Sequence, residues 1–213
     1  MPHRRYYSND GSIALLPDTS LSSHHERHDQ RQRIRARRRS VTGLQKRQAE
    51  LQLARRLWKL AAYQRARHLG IYFAVDGELA LDAFMEGGAH RNKQWYAPVL
   101  RGNSLRFASV GRGVTLKPNR LGILEPLAGP YIDARSLDLV LTPLVAFDDR
   151  GVRLGMGGGY YDRCFQFLGR RSAWRKPKLI GVGYEHQHLQ NIEAEAWDVR
   201  LWCAVTETET YCF

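Results

Sequence analysis

Residues 140–163 read VLTPLVAFDDRGVRLGMGGGYYDR. A strand-length apolar run gives way to a loop, and the loop ends in Gly155, Gly157, Gly158 and Gly159 directly before a helix-like stretch that opens at Tyr160. Glycine lets the backbone take positive φ and come close to a ligand, and the start of a helix presents free N–H groups to an anion. The order strand, glycine loop, helix is therefore that of a phosphate cradle. It is not a Walker A loop, because no GK[ST] follows, and the dinucleotide pattern GxGxxG fails because Tyr160 stands where the last glycine belongs. On the glycines alone, a tight strand-to-helix turn explains the run equally well.

Outward from this stretch the chain repeats the alternation. Short apolar runs at 69–75, 95–99, 137–142, 179–182 and 201–205 have strand length, and helix-like segments at 79–86 and 160–168 lie between them. An α/β fold with a mainly parallel sheet flanked by helices follows, and such sheets bind ligands at the carboxyl ends of their strands. Two helices lead this core. The first covers 24–39, and Thr42 with Gln45 then forms a capping box that opens a second helix to about residue 67, with Leu53, Leu57 and Leu60 on one face. Residues 1–23 lack apolar periodicity and read as a mobile extension, which leaves 24–213 as a single domain.

The 213 residues are 43% hydrophobic and 25% charged, the composition of a globular chain rather than a disordered or collagen-like one. The longest mainly apolar stretch, 137–147, is interrupted by Asp138, Thr142 and Pro143, too short for a membrane helix of about 18 residues or more. With no secretory h-region near the start, a cytoplasmic location is expected. Cys164, Cys203 and Cys212 have no CxxC spacing and read as reduced thiols. The net charge of +12 is concentrated: 27–59 holds 12 basic and 2 acidic residues, a local +10. An anionic partner is implied.

Taken together, LGMGGGYYDR, the preceding LDLVLTPLVAFD, IYFAVDGEL at 71–79, LEP at 124–126 and WDV at 197–199 occur in an order that resembles the 5-formyltetrahydrofolate cyclo-ligases, also called 5,10-methenyltetrahydrofolate synthetases. The resemblance spans about 27–206. It implies a three-layer α/β/α sandwich of the NagB/RpiA/CoA-transferase group, a catalytic domain over 24–213, ATP as co-substrate, Mg²⁺, and 5-formyltetrahydrofolate or its polyglutamates as substrate, with a monomer favoured. Where the family often has a proline and an acidic residue after the terminal aspartate, Arg200 and Trp202 stand here.

By the same resemblance, residues 153–161 hold ATP: Arg153, Leu154, Gly155, Met156, Gly157, Gly158, Gly159, Tyr160 and Tyr161, with Arg153 and Tyr160 at the reacting groups. Met156 to Tyr160 also approach the folate, together with Phe73 and Glu78. Asp162 and Asp198 become magnesium ligands, two carboxylates being enough when phosphate oxygens and water complete the shell. Arg27 and Arg31, four apart and on one helix face, match the basic pair that contacts ATP phosphate. Plainer readings stand beside each: a first-turn helix acid for Asp162, a surface turn for Asp198, sheet core for Phe73, a helix cap for Glu78 and a solvated basic helix for the arginines. Arg38 is taken to be an exposed member of that helix, outside the motif.

Two other functions compete. The +10 segment would suit a nucleic-acid-binding helix, but aromatic residues are not interleaved with its arginines and no recognised nucleic-acid motif is present. A sugar-phosphate isomerase or CoA-transferase-like enzyme on the same fold would need a carboxylate and lysine set for proton abstraction, which the sequence does not display.

Overall fold

The computed structural model of the protein describes residues 19–88, 92–170 and 176–213. Helix α1 (Thr19–Arg39) is followed by α2 (Gly43–Lys59), α3 (Ala61–Arg65), β1 (His68–Gly70), α4 (Asp82–Gly88), β2 (Gln94–Arg101), β3 (Ser104–Val110), β4 (Leu116–Pro118), β5 (Leu124–Pro126), β6 (Tyr131–Ile132), β7 (Leu139–Pro143), β8 (Ala146–Phe147), β9 (Arg153–Leu154), α5 (Tyr160–Phe165), α6 (Phe167–Arg170), β10 (Lys178–Val182), β11 (Cys203–Val205) and β12 (Thr210–Cys212). Residues 1–18 of the expected extension lie outside the described residues, and α1 starts at Thr19, before the position expected from composition.

Among the described residues the main sheet has the order β12-β11-β10-β7-β1-β2-β3-β6. Its centre, β11 to β2, is parallel, and β12, β3 and β6 add antiparallel edges. The chain crosses from β1 to β2 on one side and from β7 to β10 and β11 on the other. The order therefore reverses between β1 and β7, where Leu69 pairs with Leu139 and Gly70 with Val140. A crevice opens outside the carboxyl ends of strands at such a reversal, the usual ligand position in an open α/β sheet.

Each face of the sheet carries helices, because alternate strand residues point to opposite sides. On one face Leu69, Ala97, Leu139, Leu141, Ile180 and Val205 pack with Leu53, Leu57, Tyr63 and Phe84 of α2, α3 and α4. On the other, Phe107, Val140, Leu179 and Ala204 pack with Phe165 of α5. Burying a side chain such as Leu57 contributes about 1.5–3 kcal/mol. The capping box forms as the sequence indicates: Thr42 accepts from Gln45 N, and the Thr42 N–H donates to Gln45 Oε1 at 3.1 Å.

Two expectations change. The helix predicted to reach about residue 67 is interrupted at Leu60, whose ψ of 123° is extended, so α3 leaves at a new angle. The predicted strand 69–75 is regular only to Gly70; Ile71 N still donates to Tyr96 O at 2.8 Å, but 72–78 leaves the strand as a half-buried loop whose ends, Tyr72 and Glu78, are buried. The antiparallel edge was not predicted at all. A two-residue turn at Gly102 and Asn103, with Gly102 at φ 58°, reverses β2 into β3, and GN between alternating apolar residues is a hairpin signal.

Candidate active site

Beyond the carboxyl end of β7, strands β8 and β9 form a hairpin that aims the glycine loop. The buried Asp148 makes its turn: Oδ1 accepts from Arg150 N at 2.9 Å and Val152 N at 3.0 Å, while Oδ2 accepts from Ile192 N at 3.1 Å. Ala146 pairs with Leu154 and Phe147 with Arg153, and Ile34 of α1 packs on the hairpin with Val145, Val152, Leu154 and Ile192. The loop is thus clamped between hairpin and helix before it turns outward.

Its conformation requires glycine at two positions. Gly157 has φ 98° and Gly159, the residue before α5, has φ 62°. A Cβ on Gly158 would lie 2.8 Å from the Tyr160 ring, whereas Gly155 and Gly157 face open space. Met156 is 49% exposed at the loop tip. Because α5 has only six residues, what this segment offers an anion is loop N–H groups rather than a long helix dipole. Tyr160 is held from both outside and inside the motif: its hydroxyl accepts from Arg120 Nη2 at 2.8 Å, and the guanidinium of Arg163, three residues on, lies over its ring at 5.2 Å.

Helix α1 brings cations to the loop. Arg31 Nε donates to Gly155 O at 2.9 Å. Arg27, 7% exposed, donates from Nη1 to Glu193 O at 2.8 Å and lies 3.4 Å from Asp198 Oδ2 and 3.6 Å from Glu195 Oε1. Burial, and then the charge of Arg27, hold the Arg31 guanidinium below its ordinary pKa, with Asp198 only partly compensating. Two partly desolvated guanidiniums side by side attract an anion.

The other predicted residues form the base of the same cluster. Arg153, 5% exposed, donates from Nη2 to Asp162 Oδ1 at 2.5 Å and from Nη1 to Val199 O at 3.2 Å, and Val199 N also donates to Asp162 Oδ1 at 3.2 Å. Asp198 Oδ2 accepts from Glu195 N at 2.9 Å. Asp198 is no surface turn; its side chain is 10% exposed. Asp162 Oδ2 and Asp198 Oδ1 have no hydrogen bond among the described residues, so each aspartate keeps one oxygen for a cation. Among those residues there is no group of three or more His, Cys, Asp or Glu side chains able to hold a metal alone. Two free carboxylate oxygens beside the glycine loop fit Mg²⁺, which takes few protein ligands and completes its shell with phosphate and water.

Glu78 and Phe73 sit on the loop after β1, at the reversal. Glu78 is 6% exposed, and its Oε2 accepts from Val75 N at 3.1 Å, so it caps no helix. Burial pushes its carboxyl up to about 6, against the charge of Arg38 and the Val75 hydrogen bond. Phe73 is partly buried against the core. Tyr161 is near enough to Glu78 for the carboxylate to help burial raise its phenol.

Arg38 is the clear correction. It is 1% exposed and not a solvated charge, with Nη1 donating to Leu144 O at 3.2 Å and Nη2 to Asp76 Oδ2 at 3.0 Å. The spacing 27, 31, 34, 38 traces one face of α1, and that periodicity was the signal available in the sequence. Arg120 had no such signal; it reaches Tyr160 only through the tertiary fold, whereas Arg163 is the i,i+3 neighbour of Tyr160 on α5.

Comparison with known proteins gives one answer. A family profile described as the 5-formyltetrahydrofolate cyclo-ligase family matches residues 23–207. The 5-formyltetrahydrofolate cyclo-ligase of Haemophilus influenzae is 36% identical over 179 residues, covering 81% of this chain and 92% of that protein. The protein of the same name from Escherichia coli K12 is 35% identical over 189 residues, covering 84% and 98%. The NMR structure of Aquifex aeolicus 5,10-methenyltetrahydrofolate synthetase superposes with a TM-score of 0.75 at 26% identity, covering 87% of this chain and 92% of that one.

Proposed function

The chain belongs to the 5-formyltetrahydrofolate cyclo-ligase family, and from that premise we propose how its own residues carry out the ATP-dependent closure of 5-formyltetrahydrofolate to 5,10-methenyltetrahydrofolate. The N5-formyl group is amide-like and unreactive toward the substrate's own N10. Its oxygen attacks the γ-phosphorus of ATP and ADP departs. N10 then attacks the activated carbon and loses its proton, and phosphate leaves with the former formyl oxygen. Phosphoryl transfer asks the protein mainly for positioning and charge stabilisation.

The observation that carries this reading is the hydrogen bond from Arg31 Nε to Gly155 O, which seats a partly desolvated guanidinium against the glycine loop, with the charge of Arg27 nearby. Loop N–H groups from 154–161, with Arg27 and Arg31, take the ATP phosphates. Arg153 contributes charge from below and braces Asp162. Asp162 and Asp198 hold Mg²⁺, which when bound neutralises phosphate charge. Tyr160, steadied by Arg120, stands between nucleotide and folate. Glu78 accepts paired N–H groups of the pterin, Phe73 offers an aromatic face, and Met156 with the loop glycines closes on the ring.

Helices on both sheet faces support placing the fold in the NagB/RpiA/CoA-transferase group. Folate polyglutamates as substrates, a monomeric state and a cytoplasmic site of action complete the proposal; no helix among the described residues is long and apolar enough to cross a membrane. The test is to mix purified protein with 5-formyltetrahydrofolate, ATP and magnesium. Growth of the methenyl absorbance that requires all three supports the reading, and absorbance that grows without ATP refutes it.

A further inference from the structure

Helix α1 buries one more arginine than the phosphates call for. Arg38 lies seven residues beyond Arg31, two helical turns away on the same face, and its guanidinium meets no residue of the glycine loop. Nε donates to Asp76 O at 2.9 Å, Nη2 to Asp76 Oδ2 at 3.0 Å and Nη1 to Leu144 O at 3.2 Å, and Nη1 lies 3.5 Å from Glu78 Oε1. Asp76 and Glu78 belong to the loop after β1, and Leu144 directly follows β7. One planar fork thus spans the two strands at which the sheet order reverses.

The rest of the loop is built to receive it. Asp76 holds φ at 52°, unusual for a residue other than glycine, and its carboxylate also accepts from Arg35 Nε at 2.7 Å and from Arg39. The Gly77 position sits against the backbone of α1, where a Cβ would come within 3.2 Å of Arg38 O. Glu78 is thereby held on both sides, by a hydrogen bond from Val75 N to Oε2 and by the Arg38 charge 3.5 Å from Oε1. A buried carboxylate fixed in this way is preorganised for a ligand, since its orientation need not be set when the ligand arrives.

We propose that Arg38 is a positioning residue for the folate: it orients the Glu78 carboxylate at the reversal of strand order between β1 and β7 and ties pterin recognition to the helix whose other turns face ATP. The proposal rests on Glu78 as the pterin contact. Glu78 is also faced by Lys46, Asp76, Tyr72 and Tyr161, and of the cations Arg38 acts on it more strongly than Lys46. Without the Arg38 charge the Glu78 carboxyl rises further above about 6, so the acid limb of kcat/KM for folate moves to higher pH.

The experiment compares Arg38→Met, Arg38→Lys and Glu78→Gln with the wild-type chain, following methenyl formation while either substrate is varied across the acid limb. Arg38→Met is expected to raise the folate KM about tenfold to a hundredfold. Its ATP KM should stay within about twofold of wild type, and the acid limb should shift upward. Arg38→Lys keeps the charge but not the fork, so it should leave the limb in place and recover only part of the KM. Wild-type folate KM and pH profile in Arg38→Met, or equal rises in both KM values, overturn the proposal while Glu78→Gln still raises the folate KM. If Arg38→Met does not fold, an unchanged folate KM in Arg38→Lys overturns it. If Glu78→Gln leaves the folate KM unchanged, the pterin contact itself is wrong and this proposal falls with it.

Discussion

Truncating Arg31 tests the nucleotide end of the site most directly. In the structure Nε is taken by Gly155 O at 2.9 Å, and neither Nη has a hydrogen bond among the described residues, which leaves the far side of the fork for phosphate. Arg31→Ala removes that donor and also frees the Gly155 carbonyl from helix α1. A hydrogen bond to a charged group contributes about 1.5–3 kcal/mol, or roughly 12- to 160-fold in ATP affinity. Arg33, two residues along and exposed, is the matched control. Its replacement by Ala should change affinity by less than about 0.5 kcal/mol, because an exposed charge acts only through a screened field. The buried Arg38 cannot serve as that control. Calorimetric titration with ATP at fixed magnesium and ionic strength gives both numbers, and higher salt should shrink the Arg33 effect proportionally more than the Arg31 effect. Equal, small losses at the two positions would refute the assignment and return Arg31 to a bracing part alone.

Gly158→Val should abolish nucleotide binding while circular dichroism stays native, since its side chain would meet the Tyr160 ring at 2.8 Å and crowd the loop N–H groups; unchanged ATP affinity in the folded variant rejects the cradle. Asp198→Asn keeps the acceptor for Glu195 N but removes a charge, so the magnesium concentration for half-maximal rate should rise more than the folate KM does, and the reverse pattern would show that Asp198 is no metal ligand. At Asp76, burial opposes ionisation, yet hydrogen bonds from Arg39 and Arg35 bring the carboxyl from 3.8 down to about 2. A depressed carboxyl stabilises the fold above its unfolded value and loses that contribution as pH falls from about 4 toward 2. The stability gap between wild type and Asp76→Asn, read by denaturant titration, should therefore narrow over that window, and a gap that is constant with pH would contradict the clamp. Removal of residues 1–18, which precede both α1 and the family match, should leave turnover unchanged in the methenyl assay; a large loss with the fold intact would place them in the site.

Local rules were enough for much of this molecule. Apolar runs of strand length announced β1, β2, β7, β10 and β11, the Thr42 and Gln45 pair announced the start of α2, and the glycines at 155–159 marked a loop that needs positive φ. These features follow from backbone sterics and side-chain periodicity, which act over a few residues and are written in consecutive letters. The order of the motifs added the family and its chemistry. Which arginines of α1 turn inward is a different kind of fact. The helix is polar almost throughout, so its docked face is set by what it meets: Ile34 against the β8–β9 hairpin, Arg27 against Asp198, Arg31 against Gly155 and Arg38 against Asp76 and Glu78. Those partners lie 38 to 171 residues away, and a guanidinium is buried only where distant carboxylates and carbonyls converge to compensate its lost hydration. For Arg38 that convergence comes from the reversal of strand order between β1 and β7, a property of the assembled sheet.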